Sequence, residues 1–165
     1  MRETDSRRFA SWTAFACSAL LSACGKEPDP PRTAETETGR RCFEAYCAAC
    51  HGLEGLGTDG RIPPLEGSPW VAGPEGRPIR ILLHGLRGAI QVGGATYNLE
   101  MPGFGSILTD EQIAAVLSHV RGRFAGGGAP IGGGAPIGAA AVGRVRAETS
   151  NRDAYWTAEE ILEVR

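Results

Sequence analysis

Apolar positions recur with a helical period in three stretches of this chain. The clearest lies in residues 109–124, TDEQIAAVLSHVRGRF, where Ile113, Val116, Leu117, Val120 and Phe124 form one stripe. Thr109 and Gln112 stand at the spacing of a capping box, which predicts the start of that helix. A second stripe, Ile79, Leu82, Leu83 and Leu86, runs through residues 77–88, with Pro78 suited to a first turn and Gly85 to the end. The third follows Thr38, a plausible N-cap, through Phe43, Cys47 and Cys50. Residues 52–65 and 89–107 are rich in glycine and proline and are predicted to be loop, with at most a small hairpin around Gly93 and Gly94.

The flanks are of a different character. Residues 25–38, GKEPDPPRTAETET, have no apolar period and are predicted to be a disordered tether. Residues 126–138 hold two tandem copies of a six-residue Gly-Ala-Pro-Ile unit. A solenoid needs longer units and more of them, so this is read as a duplicated linker without an apolar face. The last 27 residues carry two short helical patterns joined near Asn151. Val142, Val145 and Trp156 are candidates to dock back, because so short a piece builds no core of its own. The length of the linker argues against close docking. The folded unit is predicted over residues 39–124, as an all-α arrangement of helices and loops with a thin apolar inventory.

Candidate chemistry concentrates at YCAACHG, residues 46–52. On a helix, Cys47, Cys50 and His51 stand at i, i+3 and i+4 and project from one face. C-x-x-C-H is the pattern of covalent c-type haem attachment: two thiols for the vinyl groups of one haem and a histidine for its iron. A structural zinc wants a second cysteine pair, which the chain lacks. A thioredoxin-like pair wants flanking Val/Ile-rich strands, which are also missing. One haem is therefore expected, and it would fill the middle of the thin core.

The iron needs a second ligand from a distant segment. Apart from Met1, Met101 is the only methionine, and Pro102 and Gly103 stiffen the loop behind it. A thioether held there suits haem iron, and His/Met ligation raises the reduction potential. The plainer reading of Met101 is a core gap-filler. His84 is the runner-up ligand, though better placed as a structural residue at a helix end, and His119 lies at the edge of its helix's stripe. Cys42 is read as a small buried hydrophobe, with a free thiol helper as the alternative.

Haem attachment of this kind happens outside the cytoplasm, which makes residues 1–23 legible as an export signal. Arg2, Arg7 and Arg8 precede an apolar stretch too short to span a bilayer. It ends in LSAC, similar to a bacterial lipobox, so Cys24 is the expected lipidation site; an ordinary signal cut near Ala23 is the alternative. The adjacent Arg7 and Arg8 raise a twin-arginine reading, but haem joins an unfolded exported chain, which favours general secretion. Residues 24–165 carry 14 basic and 17 acidic side chains, a formal charge of −3. With no basic patch interleaved with aromatics, nucleic-acid binding finds no support. The expected organisation is a signal (1–23), a tether (24–38), a domain (39–124), a linker (125–138) and a helical extension (139–165).

At these motifs the chain resembles the class I cytochrome c family. Gly39, Phe43 and Cys47-Ala-Ala-Cys50-His51-Gly52 are similar to its first helix and haem site, and Pro63-Pro64-Leu65 to the turn after it. Met101-Pro-Gly-Phe-Gly is similar to its methionine loop, and residues 108–121 to its closing helix. The resemblance implies a small cytochrome c fold wrapped around covalently bound haem c. It implies that the Pro63 carbonyl accepts the His51 ring N–H, that Leu65 packs on the haem face, and that Gly39 and Phe43 let the first helix cross the last near Val116 to Val120. Residues 67–73 and 85–98 further resemble small cytochrome domains associated with periplasmic dehydrogenases and respiratory oxidases.

The function expected is one-electron transfer by a membrane-anchored, extracytoplasmic carrier, not an enzyme, working between a redox protein donor and a respiratory acceptor. The alternatives are a peroxidase-like or gas-binding haem protein with a labile Met101, and a haem-free zinc or disulfide module. The anchor has a direct test. Cys24→Ser should move the protein out of the membrane fraction with its absorbance spectrum unchanged. Retention of the mutant in salt-washed membranes would contradict lipidation at Cys24.

Overall fold

The computed structural model describes residues 33–58, 60–126 and 135–163. Helix α1 (Ala34–Cys42) begins four residues before the expected Thr38. Its N-cap is Thr33, whose hydroxyl accepts the Thr36 N–H at 3.2 Å. Thr38 sits inside the helix and donates its hydroxyl to the Ala34 carbonyl at 2.9 Å. Ion pairs one turn apart extend the helix into the stretch read as tether: Glu37 with Arg40 and Arg41, and Arg40 with Glu44. The hydrogen bonds from Arg40 and Arg41 hold the Glu37 carboxyl down at about 2.

A π-helical turn (Phe43–Cys47) and helix α2 (Ala48–His51) continue the first element. Helices α3 (Pro69–Ala72) and α4 (Gly76–His84) follow. Helix α5 (Asp110–Phe124) has the capping box of Thr109 and Gln112, and all five residues of its stripe are buried. Helix α1 crosses α5 at Gly39. A Cβ at Gly39 would run into the backbone carbonyl of Ala115 and the Cβ of His119, so the helices touch backbone to backbone.

The expectation of helix and loop alone needs correcting, because small sheets are present. Strand β1 (Gly85–Arg87) pairs antiparallel with β4 (Met101–Pro102), and parallel with β5 (Trp156–Thr157) on its other edge. Strands β2 (Ile90–Val92) and β3 (Ala95–Tyr97) form a hairpin through Gly93 and Gly94, both at positive φ, as the sequence allowed. Leu86, assigned above to a helical stripe, is a buried strand residue instead. Gly85 takes φ +82° and ends α4 one residue before it. Strands of two or three residues carry no alternation to read; they exist because distant segments meet.

The C-terminal segment docks on this body, against the expectation drawn from its linker. Helix α6 (Ala139–Glu148) buries Ala141, Val142 and Val145, and helix α7 (Ala158–Glu163) buries Ile161. Ile137, at the end of the second six-residue copy, is fully buried and joins the main core. Its N–H donates to Ser118 Oγ at 2.9 Å, and its carbonyl accepts that hydroxyl at 3.3 Å. The second copy therefore has an apolar foothold; residues 127–134 lie outside the described residues.

Gly39→Ala tests the helix crossing. At an exposed helical site this change stabilises by up to ~1 kcal/mol. Here the added methyl meets backbone that has no rotamer to escape into, so a net loss of ~1–3 kcal/mol is expected in denaturant unfolding. Unchanged or raised stability would show that the crossing yields easily.

Candidate functional site

The π turn sets which side chains face inward. The Ala48 N–H donates to the Phe43 carbonyl, five residues back, which rotates the following residues relative to α1. Phe43 points to α5, with its ring 5.4 Å from Phe124 and 5.6 Å from His119. Cys47 and His51, one turn further on, line an apolar cavity that is partly open to solvent. Cys50 is exposed and is not among the lining residues.

Gly52, at φ +73°, ends α2 and turns the chain into the glycine-rich loop. Gly57 donates its N–H to the His51 carbonyl, and Leu65 donates to the Gly55 carbonyl. A Cβ on Gly57 would strike the Ile62 carbonyl, so glycine is what lets this loop fold back on itself. The fold-back brings the Pro63 carbonyl to 3.4 Å from His51 Nδ1. A carbonyl only accepts, so Nδ1 carries the proton and Nε2 keeps its lone pair. Burial pushes the His51 pKa down, opposed by the bond to Pro63, and so favours the neutral ring a metal needs. Burial also pushes the Cys47 thiol up to about 11, with the neighbouring Cys42 and Cys50 adding to it. That is the reverse of the low-pKa thiolate of a redox cysteine.

Met101, Pro63, Pro64 and Leu65 line the same cavity, together with Val116, Leu117 and Val120 of α5. Met101 is partly buried and packs against both apolar clusters of the protein. The structure thus brings Cys47, His51, Pro63, Leu65 and Met101 around one space. His84 is not among the lining residues. The Thr149 hydroxyl donates to the Val145 carbonyl at 2.7 Å, so its oxygen accepts from His84 Nε2, also at 2.7 Å. Cys42 is buried in the main core, where burial raises its pKa. Cys24 lies outside the described residues.

Arg121 is the lining residue that the periodicity of α5 did not single out. It is only 5% exposed and has no carboxylate within ion-pair distance among the described residues. Its Nε donates to the Val71 carbonyl at 3.1 Å, one terminal nitrogen to Gly73 and the other to Ala135 at 3.4 Å. Its position one turn after Leu117 was the available signal for an inward-facing charge.

A flat organic cofactor with a metal centre fits this arrangement. The walls are almost wholly apolar, and an imidazole, a thioether and the Cys47 thiol are among the lining side chains that could bond a cofactor or its metal. Among the described residues no three His, Cys, Asp or Glu side chains gather as a metal site, and Cys42, Cys47 and Cys50 form no disulfide.

The family model described as cytochrome C oxidase, cbb3-type, subunit III matches residues 34–120, just over half of the chain. The chain belongs to this family of c-type cytochrome domains. It is 46% identical over 80 residues to "Cytochrome c-552" of Thermus thermophilus, covering 46% of this chain and 60% of that protein. It is 35% identical over 100 residues to "Gluconate 2-dehydrogenase cytochrome c subunit" of Pantoea cypripedii, covering 56% and 21% of the two chains. It is 38% identical over 83 residues to "Cbb3-type cytochrome c oxidase subunit FixP" of Sinorhizobium medicae (strain WSM419), covering 50% and 28%. The chain thus spans less than two thirds of the length of each of these relatives. The cytochrome domain is a monohaem class I type, and its family implies covalently bound haem c.

The expectation that Cys47 and Cys50 are the attachment points has a direct test. Wild-type protein should keep its haem through acid-acetone extraction, and the double mutant Cys47→Ser, Cys50→Ser should lose it. Extractable haem in the wild type would exclude these thiols as its attachment points.

Proposed function

We propose that this cytochrome carries single electrons between a dehydrogenase or other donor and a respiratory acceptor, from an extracytoplasmic position held by a lipid at Cys24. Bound haem supplies a reversible one-electron iron couple whose potential the protein tunes. The observation that carries the proposal is that His51 and Met101 line one apolar cavity with Cys47. His51, oriented by Pro63, would hold the iron through Nε2, and Met101 would hold it through its sulfur. Leu65, Val116 and Leu117 keep water from the site and lower its polarity, which tunes potential.

Two of the relatives, a cytochrome c subunit of gluconate 2-dehydrogenase and a subunit of a cbb3-type oxidase, support donors and acceptors of those classes. No helix among the described residues is long and apolar enough to cross a membrane. The proposed anchor rests on the lipobox-like LSAC alone. Peroxide chemistry would use a free cationic or imidazole group near the iron. Arg121 lines the cavity, but its Nε and both terminal nitrogens are committed to backbone carbonyls.

Met101→Ala decides between carrier and open-site enzyme. The mutant should keep its covalent haem, show a lower reduction potential and, when ferrous, bind carbon monoxide. Wild type should not bind it. Carbon monoxide binding by the wild type would favour the gas-binding or peroxidase-like reading. An unchanged potential in Met101→Ala would remove Met101 as the ligand.

A further inference from the structure

The loop that bears Met101 is poorly equipped to hold itself. Strand β4 is two residues long, and Gly103 and Gly105 follow it directly. Glycine loses the most conformational freedom on ordering, so such a loop stays in place only if its surroundings fix it. One set of ties comes from α4: Phe104 donates its N–H to the Leu82 carbonyl at 2.7 Å, and Gly105 to Leu83 at 3.1 Å. Both glycines lie so close to this backbone that a Cβ on either would stand 2.7 Å from the Leu83 carbonyl oxygen.

A second set comes from the C-terminal segment, outside the matched residues 34–120. Arg146 of α6 reaches across to the far end of the loop. Its guanidinium donates to the Gly105 carbonyl at 2.5 Å, the Leu108 carbonyl at 3.0 Å and the Asp110 carboxylate at 2.7 Å. One planar fork thus joins the end of the loop to the first turn of α5. Below it, Leu86 of β1 pairs with Met101 on one side and Trp156 on the other, so β5 completes the sheet that contains Met101. The Tyr155 ring lies against Gly85, where a Cβ would stand 2.5 Å from the Met101 carbonyl oxygen and 2.6 Å from that ring. The bond from His84 to Thr149 ties the end of α4 to the residue after α6.

We propose that the C-terminal segment is a clamp on the Met101 loop, and that Arg146 is its positioning residue, keeping the thioether at the iron. This rests on the reading of Met101 as ligand. A lysine in place of Arg146 keeps the charge but presents one compact ammonium, which does not reproduce a planar three-point contact. Loss of the fork should increase the share of molecules in which Met101 has left the iron, a change of ligation and not only of stability.

The experiment uses the full-length haem-loaded protein, with Met101→Ala as reference and Arg146→Ala, Arg146→Lys and Thr149→Val as the tests. Reduction potential and carbon monoxide binding by the ferrous form report the iron's sixth position, and thermal unfolding reports the fold. Well below their melting temperatures, both Arg146 variants should bind carbon monoxide and show potentials shifted towards that of Met101→Ala. Thr149→Val should show a smaller shift of the same sign, and it serves as the test if the Arg146 variants do not fold. If the variants melt earlier but keep wild-type potential and carbon monoxide silence, the clamp is refuted and the segment is packing alone. If Met101→Ala itself changes neither readout, the ligand reading falls, and the clamp with it.

Discussion

The contact between Gly39 and the backbone of Ala115 fixes the geometry on which everything else is built. With no side chain between them, α1 and α5 approach closely enough for Phe43 to sit between Phe124 and His119. That depth sets where Cys47 and His51 emerge, and it makes Val116, Leu117 and Val120 the wall they face. A larger residue at position 39 would displace this wall from the motif by a methyl's width. Ligand positions in a metal site tolerate little of that. The crossing is thus a constraint on the cofactor as much as on the fold.

Burial of Arg121 follows from the same closeness. A guanidinium taken from water without a carboxylate loses solvation that three carbonyls only partly return, and burial accordingly pulls its pKa down. In exchange it gathers two segments that share no regular hydrogen-bond ladder with α5: α3 with its C-cap, through Val71 and Gly73, and the stretch at Ala135. The carbonyl of Ala135 belongs to the second copy of the six-residue unit, next to the buried Ile137. An internal cation thereby joins the C-terminal segment to the wall of the cavity. It also adds positive charge beside the space for the cofactor, which disfavours the oxidised, more positive state of an iron held there.

The site was legible to the extent that it was local. Cys47, Cys50 and His51 lie within five residues, the capping box of Thr109 and Gln112 within four, and the α5 stripe repeats with the helical period; each is a short-range physical pattern. The glycines at 93 and 94 marked the hairpin for the same reason. Pairings across distance were not readable. Leu86 looked like one more helical position because its strand exists only where Met101 and Trp156 arrive on either side. The start of α1 at Ala34 depends on Glu37, Arg40 and Arg41 pairing along a turn, inside a composition that otherwise reads as disordered. Ile137 looked like linker because a single apolar residue among glycines has no period, although Ser118 was waiting to bond its backbone. Arg121 was missed because a charged residue falls outside an apolar stripe, although it stands one turn after Leu117, and its carbonyl partners come from distant segments.

The two ligand candidates are held by opposite strategies. His51 lies one residue after Cys50 and four after Cys47, so covalent attachment of the cofactor would keep its imidazole local with no help from the rest of the fold. Its only external requirement is the Pro63 carbonyl that sets its tautomer. Met101 has no such tether. Its position depends on α4, on the sheet partners of Leu86 and on the fork of Arg146, all of them noncovalent and drawn from segments as far away as Trp156, 55 residues on. As the proposed ligand, a weak, neutral thioether would compete with water at the iron, so small losses in this scaffold would bear directly on ligation. On the proposed ligation, the methionine side is where the fold, and not the motif, would control the redox properties of the protein, and where a segment beyond the matched cytochrome domain would have leverage over them.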